Sequence, residues 1–158
     1  MMAYREIPDF QTYEPNTDAP WAFIIDIDGT VADKGPRKFY DESCVDLDAP
    51  IIPVIRLVQA LVFRQPSMLY PLFFSGRTEG CRDATVAWIR RHIMTGGFAL
   101  HMRPVGDNRP DYVVKYEMFR RHVDPFWYVQ FVIDDRNQVV DMWRTMGLTC
   151  LQVAPGDF

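Results

Sequence analysis

Little in this sequence points away from a folded domain in water. No apolar run approaches the roughly 18 residues of a membrane helix. The opening, MMAYREIPDFQTYEPNTDAP, lacks a basic end followed by an apolar stretch, so no secretory signal is expected and the chain is assigned to the cytoplasm. Cysteine is scarce. Cys44, Cys81 and Cys150 are odd in number, far apart and without a C-x-x-C pair, which argues against a zinc site and for free thiols in a reducing compartment. His92, His101 and His122 have no metal-ligand spacing. Positive charge is in deficit, at 17 Lys and Arg against 21 Asp and Glu, for a formal net charge of −4. That balance excludes a basic coat for nucleic acid and leaves only local contact, with an end or a few phosphates. Internal repeats, low-complexity tracts and a dividing linker are also missing. What is there is 158 residues, 48% hydrophobic and 14% aromatic, enough for one domain with a sizeable core. Trp88, Trp127 and Trp143 fall in periodic segments and are expected to pack in that core.

The most informative stretch is WAFIIDIDGT at residues 21–30. Ala22, Phe23, Ile24, Ile25 and Ile27 make the short β-branched and aromatic run of a buried parallel strand. It ends in Asp26 and Asp28, then Gly29. Residues two apart in an extended chain point the same way, so the two carboxylates share one face at the strand's carboxyl end. That edge is where open α/β sheets bind ligands. Adjacent carboxylates repel and are costly to bury unless a cation or a function compensates them. A solvated Asp-rich turn after a core strand is the plainer alternative.

Along the chain, residues 1–20 are polar and aperiodic and read as an irregular arm or a flexible lead-in, with residues 21–158 as the domain proper. Residues 29–49 form a long polar loop containing Gly35, Pro36, Arg37, Lys38, Phe39 and Tyr40, too short to be a capping domain. Ile51, Ile52, Ile55, Val58, Leu61 and Val62 recur at helical spacing and predict a helix over 50–64, with Asp48 as its cap. A strand over 68–74 runs into Ser75-Gly76-Arg77, and a helix over 79–94 stops at Gly96-Gly97. A short strand over 98–102 precedes a polar loop over 105–109, and Pro110 opens a helix to about residue 123. A strand over 128–133 ends in Asp134-Asp135, a helix over 137–146 is closed by Gly147, and a last strand covers 148–153. This alternation argues for a three-layer α/β sandwich around a mainly parallel sheet.

Polar groups therefore gather at strand ends: Asp26 and Asp28, Ser75 and Arg77, Asp134 and Asp135. Asp111 and Lys115, four apart, face the same side of one helix. Each has a bland alternative: Ser75 as a helix cap, Asp111 with Lys115 as a solvated pair, Asp134 and Asp135 opening a helix against its dipole. Their joint placement on one sheet edge favours chemistry. A carboxylate nucleophile splits phosphoester hydrolysis into two easier steps. A second carboxylate can protonate the leaving alkoxide and then activate water. A hydroxyl and a lysine can hold the phosphoryl oxygens. A hard divalent cation, best magnesium, would offset the crowded negative charge.

At these residues the chain resembles the haloacid dehalogenase superfamily of phosphatases, whose four motifs are matched in order by DIDGT at Asp26, FFSGR at Ser75, Lys115, and IDDR at Asp134. The resemblance implies a Rossmann-like three-layer fold with a minimal cap. It also implies Asp26 as nucleophile, Asp28 as general acid/base, and Ser75 with Lys115 gripping the phosphoryl group. Mg2+ would be held by Asp26, Asp134 and the backbone carbonyl of Asp28, with Asp135 in support. The segments GPRKFYDESCVDLDAP, RPDYVVKYEMFRRHVDPF and VIDDRNQVVDMWRTMGLTCLQVAPGDF resemble more narrowly the 3′-phosphatase domain of bacteriophage-type polynucleotide kinase, which clears 3′-phosphates from DNA or RNA ends. That resemblance implies a phage-encoded end-repair enzyme in the host cytoplasm. It adds Thr30, Arg37, Gly76, Arg77 and Asp111 as substrate-binding residues, and Arg103 and Arg109 as phosphate or strand contacts. Bifunctional members carry a G-x-x-x-x-G-K-[ST] phosphate loop; none occurs here, so 5′-kinase activity is not expected of this chain, and a separate kinase or ligase partner is left open.

Only residues 29–49 could cover the first strand's end, and an uncovered site admits the end of a polymer. Phe39 or Tyr40 could stack on a terminal base or simply pack the loop. Two rivals stand beside the 3′-phosphatase: a phosphatase of free nucleotides, and a noncatalytic module that binds nucleic-acid ends. Clustered aspartates argue against the second, since a binder of anions gains nothing from them.

Overall fold

The structure, a computed structural model, describes residues 9–38, 41–64 and 69–157. Phe39, Tyr40 and the expected strand start at Met68 lie outside the described residues. In chain order the elements are β1 (Trp21–Asp26), β2 (Ala32–Asp33), β3 (Ala49–Pro50), α1 (Ile52–Val62), β4 (Tyr70–Thr78), α2 (Arg82–His92), β5 (Ala99–Arg103), α3 (Asp111–His122), β6 (Tyr128–Arg136), α4 (Asn137–Thr145) and β7 (Cys150–Gly156). Short 3-10 turns at Val45–Leu47 and Glu79–Cys81 precede β3 and α2.

Strands β5-β4-β1-β6-β7 form one five-stranded sheet in that order, every neighbouring pair parallel. Alternation along β1 divides the core into two layers. Ala22 and Ile24 pack with Val114, Phe119, Val140 and Trp143 of α3 and α4. Phe23 and Ile25 pack with Ile55, Val58, Trp88 and Ile89 of α1 and α2. Both faces of the sheet are thus covered, which is why its strands read as apolar runs. Trp88 and Trp143 are fully buried, whereas Trp127 lies at the core's edge, stacked on Tyr70 at 4.8 Å. The three cysteines are free, Cys81 and Cys150 buried and Cys44 exposed. No helix among the described residues is long and apolar enough to cross a membrane.

Residues 9–20 have no helix or strand, yet they are docked. Phe10 lies against Tyr112 and Tyr116, and Tyr13 against Phe119. The Tyr13 hydroxyl donates to Trp127 O at 2.8 Å and accepts from Val129 N at 3.1 Å, joining the arm to the start of β6. Two aromatic anchors in an aperiodic, polar segment leave no periodic signal, so the sequence reads only as a lead-in. Tyr13→Phe strands a buried carbonyl and amide, and is expected to cost about 1–3 kcal/mol in chemical denaturation.

A second expectation concerns acid. His101 stacks on His122 at 5.0 Å and tilts onto Phe74 at 5.1 Å. Burial, helped by His122 and Arg82, pushes its pKa from 6.5 down to about 4. Between those values the unfolded chain binds a proton that the folded chain does not, so stability falls as pH drops through that window. A His101→Phe variant should lose less stability than the wild type between neutral pH and about pH 5, measured by denaturant midpoints at the two pH values.

Candidate active site

The chain leaves β1 toward β4 and β5 on one side and returns to β6 and β7 on the other. The carboxyl ends of β1 and β6 therefore border a topological switch point, where an open α/β sheet leaves a crevice. Asp26 closes β1, and Asp134 and Asp135 lie at the end of β6. After Asp26 the chain turns sharply, with Ile27 O accepting from the amides of Thr30, Val31 and Ala32. Gly29 adopts φ +87°, and a Cβ there would collide with the Asp135 carboxylate, so glycine is required for both backbone and space. Asp28 forms an isolated bridge with Ala32 just beyond the strand, and its side chain is partly exposed.

Lys115 on α3 binds the floor of the crevice. Its Nζ lies 2.5 Å from Asp26 Oδ1, 3.0 Å from Asp134 Oδ2 and 3.5 Å from Asp111 Oδ2. Burial would discharge it, but Asp134, Asp26 and Asp111 outweigh burial and hold its pKa well above the ordinary lysine value. Asp26 is held in turn by Thr30 Oγ1, which donates to Oδ2 at 3.0 Å. Its own pKa stands well above the carboxylate range, because burial and the charges of Asp134 and Asp135 outweigh Lys115. Asp134 accepts at Oδ1 from the amides of Asp135 and Arg136 and at Oδ2 from Trp143 Nε1 at 3.3 Å. Burial and Asp134 push Asp135 up to about 6. One carboxylate oxygen from each of Asp26, Asp134 and Asp135 lies within 4.8 Å of the others. These are hard oxygen donors, buried and crowded together, and the set fits a divalent cation such as magnesium. The Asp28 carboxylate is not among them.

Asp28 instead belongs to a network of carboxylates and guanidiniums. Arg77 Nε and Nη2 donate to its two oxygens at 2.9 and 2.8 Å. Arg37 Nη2 reaches Oδ1 at 3.4 Å. Both arginines also bind Asp48, Arg77 at 2.8 Å and Arg37 at 2.6 and 3.1 Å. Arg77 is aimed by a bulge in β4, where the pairing jumps from Ser75–Met102 to Thr78–Arg103. Burial disfavours its charge, but the hydrogen bond to Asp28 and the charges of Asp28 and Asp48 keep it cationic. Asp48, expected to cap α1, is therefore a site residue that sequence reasoning missed. The residue before α1 is Ile51, with no side-chain cap, and the Asp48 carboxylate lies under the two arginines. Nothing local distinguishes a capping Asp from one whose partners are 11 and 29 residues away.

An open cavity of about 540 Å³ has Asp26, Asp28, Arg37, Gly76, Arg77, Asp111, Lys115 and Asp135 on its wall. Thr30, Ser75 and Asp134 are fully or almost fully buried and lie behind that wall. Thr30, expected to touch substrate, spends its hydroxyl on Asp26. The Ser75 hydroxyl accepts from the Arg77 amide at 3.2 Å. Arg103, expected as a phosphate or strand contact, also lines the cavity and is braced there: it donates to Gly76 O, Asp107 O, Arg109 O and Asp111 Oδ1. Arg109 lies at the cavity's edge, half-exposed, and is paired with Asp107 and Glu117. Asp111 is buried, yet Lys115, Arg136 and Arg103 together outweigh burial and hold its pKa below the ordinary value. It also lies so close to Gly76 that a Cβ there would come within 2.7 Å of its Oδ1. The expected loop over residues 29–49 contains the antiparallel pair β2–β3, a minimal flap beside the cavity.

The parallel sheet, its flap and the carboxylate-lined switch point belong to a haloacid dehalogenase fold, shared with the HAD domain of effector protein Lem4 from Legionella pneumophila at 13% identity and a TM-score of 0.57 over 89% of each chain. Within that fold, the chain belongs to the family of polynucleotide kinase PNKP phosphatase domains, whose model matches residues 20–158. It is 33% identical over 145 residues to a protein of Autographa californica nuclear polyhedrosis virus that bears the name bifunctional polynucleotide kinase/RNA ligase, covering 90% of this chain and 21% of that protein. A chain in the structure of the Pnkp1/Rnl/Hen1 RNA repair complex is 32% identical with a TM-score of 0.86, over 97% of this chain and 48% of that one. A second structure of the complex gives 0.84 at 32% identity, over 96% and 52%. The class C acid phosphatase from Bacillus anthracis, 16% identical with a TM-score of 0.60 over 89% of this chain and 68% of that one, shares the fold alone. The chain thus spans only part of the relatives it matches.

Proposed function

We propose that this chain removes the 3′-phosphate from the end of a DNA or RNA strand by phosphoryl transfer to Asp26, in nucleic-acid end repair. The observation that carries the reading is the convergence of Asp26, Lys115 and Asp135 on one open cavity, with Asp134 buried against them, in a chain of the polynucleotide phosphatase family. An Asp26 carboxylate oxygen attacks phosphorus while the bond from phosphorus to the 3′ oxygen breaks. Asp28 gives its proton to that oxygen, then takes one from the water that attacks the aspartyl-phosphate, releasing inorganic phosphate and restoring Asp26. Lys115 draws the phosphoryl oxygens toward Asp26, and Ser75 joins it by turning its hydroxyl away from the Arg77 amide. Thr30 keeps Asp26 in place, while Arg77 and Arg37 orient Asp28. Magnesium, held by Asp26, Asp134 and Asp135 with the Asp28 backbone carbonyl, would neutralise charge on the transferring group.

The flap leaves the cavity open, which supports a polymer end over a free nucleotide as substrate. The names of the viral relative and of the repair complex support work beside a ligase or a kinase. The absence of a kinase phosphate loop supports a chain without kinase activity of its own. The test compares phosphate release from a 3′-phosphorylated oligonucleotide, the same strand phosphorylated at its 5′ end, and a nucleoside 3′-monophosphate. The first should dominate, and a metal chelator should stop release. Equal or faster release from the mononucleotide would sink the polynucleotide reading, and release undiminished by chelator would sink the role given to magnesium.

A further inference from the structure

The segment between β2 and β3 leaves the body through only two residue pairs, Ala32 with Pro50 and Asp33 with Ala49. Among its described residues, Val45 is the one buried apolar side chain, so hydrophobic burial holds only its second half. That half is further tied to α2, where Trp88 Nε1 donates to Asp48 O at 2.8 Å and Arg91 to Asp46 O at 3.3 Å. The outer part is held by a different device. Glu42 Oε1 accepts the Thr78 amide at 2.6 Å, and Oε2 accepts the Thr78 hydroxyl at 2.5 Å. Thr78 ends β4, immediately after Arg77 and the bulge that aims it. The neighbouring Asp41 carbonyl accepts from Arg37 Nη1, and Arg37 in turn binds Asp28 and Asp48. A continuous path thus runs from the end of β4 through Glu42 and Asp41 to Arg37 and Asp28.

We propose that Glu42 is a positioning residue for this site: by clasping Thr78 it holds the flap against β4, keeps Arg37 directed at Asp28, and so sets the affinity for substrate. The role rests on the phosphatase reading above. A charge-assisted two-point contact joins this part of the flap to the end of β4 and favours a single closed arrangement. Without it the flap spends part of its time away from β4, and apparent affinity falls by the closed fraction while the bound complex still reacts.

The test combines steady-state kinetics on a 3′-phosphorylated oligonucleotide with backbone hydrogen exchange over residues 41–48, in the full chain with magnesium. Glu42→Ala should raise KM about tenfold with kcat within about twofold, and speed exchange over that segment. Glu42→Gln still offers an oxygen to the Thr78 amide and a partner to its hydroxyl, so it should restore most of the affinity. Adding Thr78→Val to Glu42→Ala should raise KM no further, since both changes break the same clasp. A fall in kcat at unchanged KM would mark a merely structural loss and overturn the proposal, as would unchanged exchange. If the wild type releases no phosphate from the oligonucleotide, the functional reading falls, and exchange alone decides whether Glu42 holds the flap.

Discussion

Asp26→Asn is expected to abolish turnover, by about a thousandfold or more, while leaving the protein at least as stable as the wild type. The amide keeps the size of the carboxyl group, its one oxygen can still accept from Lys115 and its NH2 can donate to the Thr30 hydroxyl, but it is no nucleophile toward phosphorus. The stability half of the expectation follows from charge. Burial, Asp134 and Asp135 hold the Asp26 pKa well above 3.8, the value for an ordinary aspartate. Above pH 3.8 the unfolded chain has lost this proton while the folded chain retains it, so stability falls as pH rises toward the folded-state pKa. Asparagine removes that penalty, and in chelator at neutral pH its denaturation midpoint should match or exceed that of the wild type. A carboxylate retained at a cost to stability is a mark of a functional group rather than a packing one. An Asp26→Asn protein that unfolds more readily in chelator would mean the carboxylate serves the fold.

Asp48→Ala should be the most damaging change outside the residues proposed for chemistry. It is expected to cost about 3 kcal/mol of stability and to lower kcat/KM at least about a hundredfold. Asp48 and Arg77 are both almost completely buried, so deleting the carboxylate leaves one guanidinium in the interior and a second, Arg37, with half its pairing. Both arginines would then fall on Asp28, whose aim is what the proposed proton transfers depend on. Asp48→Asn, which keeps the acceptor but not the charge, should lie between. Denaturant unfolding and steady-state kinetics on the same preparations check both effects. Wild-type activity in Asp48→Ala would remove the network from the catalytic account.

These two residues also show what was legible in the sequence. The strand carrying Asp26 announces itself by a continuous apolar run ending in D-x-D-G, and the lysine by its four-residue offset from Asp111. Both signals are local, and the alternation of strand and helix was enough to bring their elements to one edge. Asp48 gave no such signal. Its position before an apolar periodic stretch favours a cap on local grounds, and only the bulge in β4 carries Arg77 to it. The bracing of Arg103 at the cavity wall is equally silent in the sequence, because its four acceptors run from Gly76 to Asp111. Thr30 and Ser75 are fully buried behind the cavity wall, a depth that period and spacing do not encode. The docked arm at Phe10 and Tyr13 depends on two aromatic rings meeting α3, again a long-range contact.

The central claim is that phosphorus passes through a covalent bond to Asp26. The most direct measurement is a single-turnover reaction with an oligonucleotide radiolabelled in its 3′-phosphate, quenched in acid and mapped by peptide. Label is expected on the peptide carrying Asp26, stable in acid, lost in alkali and absent from Asp26→Asn. Full phosphate release with no labelled peptide at any time point, or label on another residue, would contradict it.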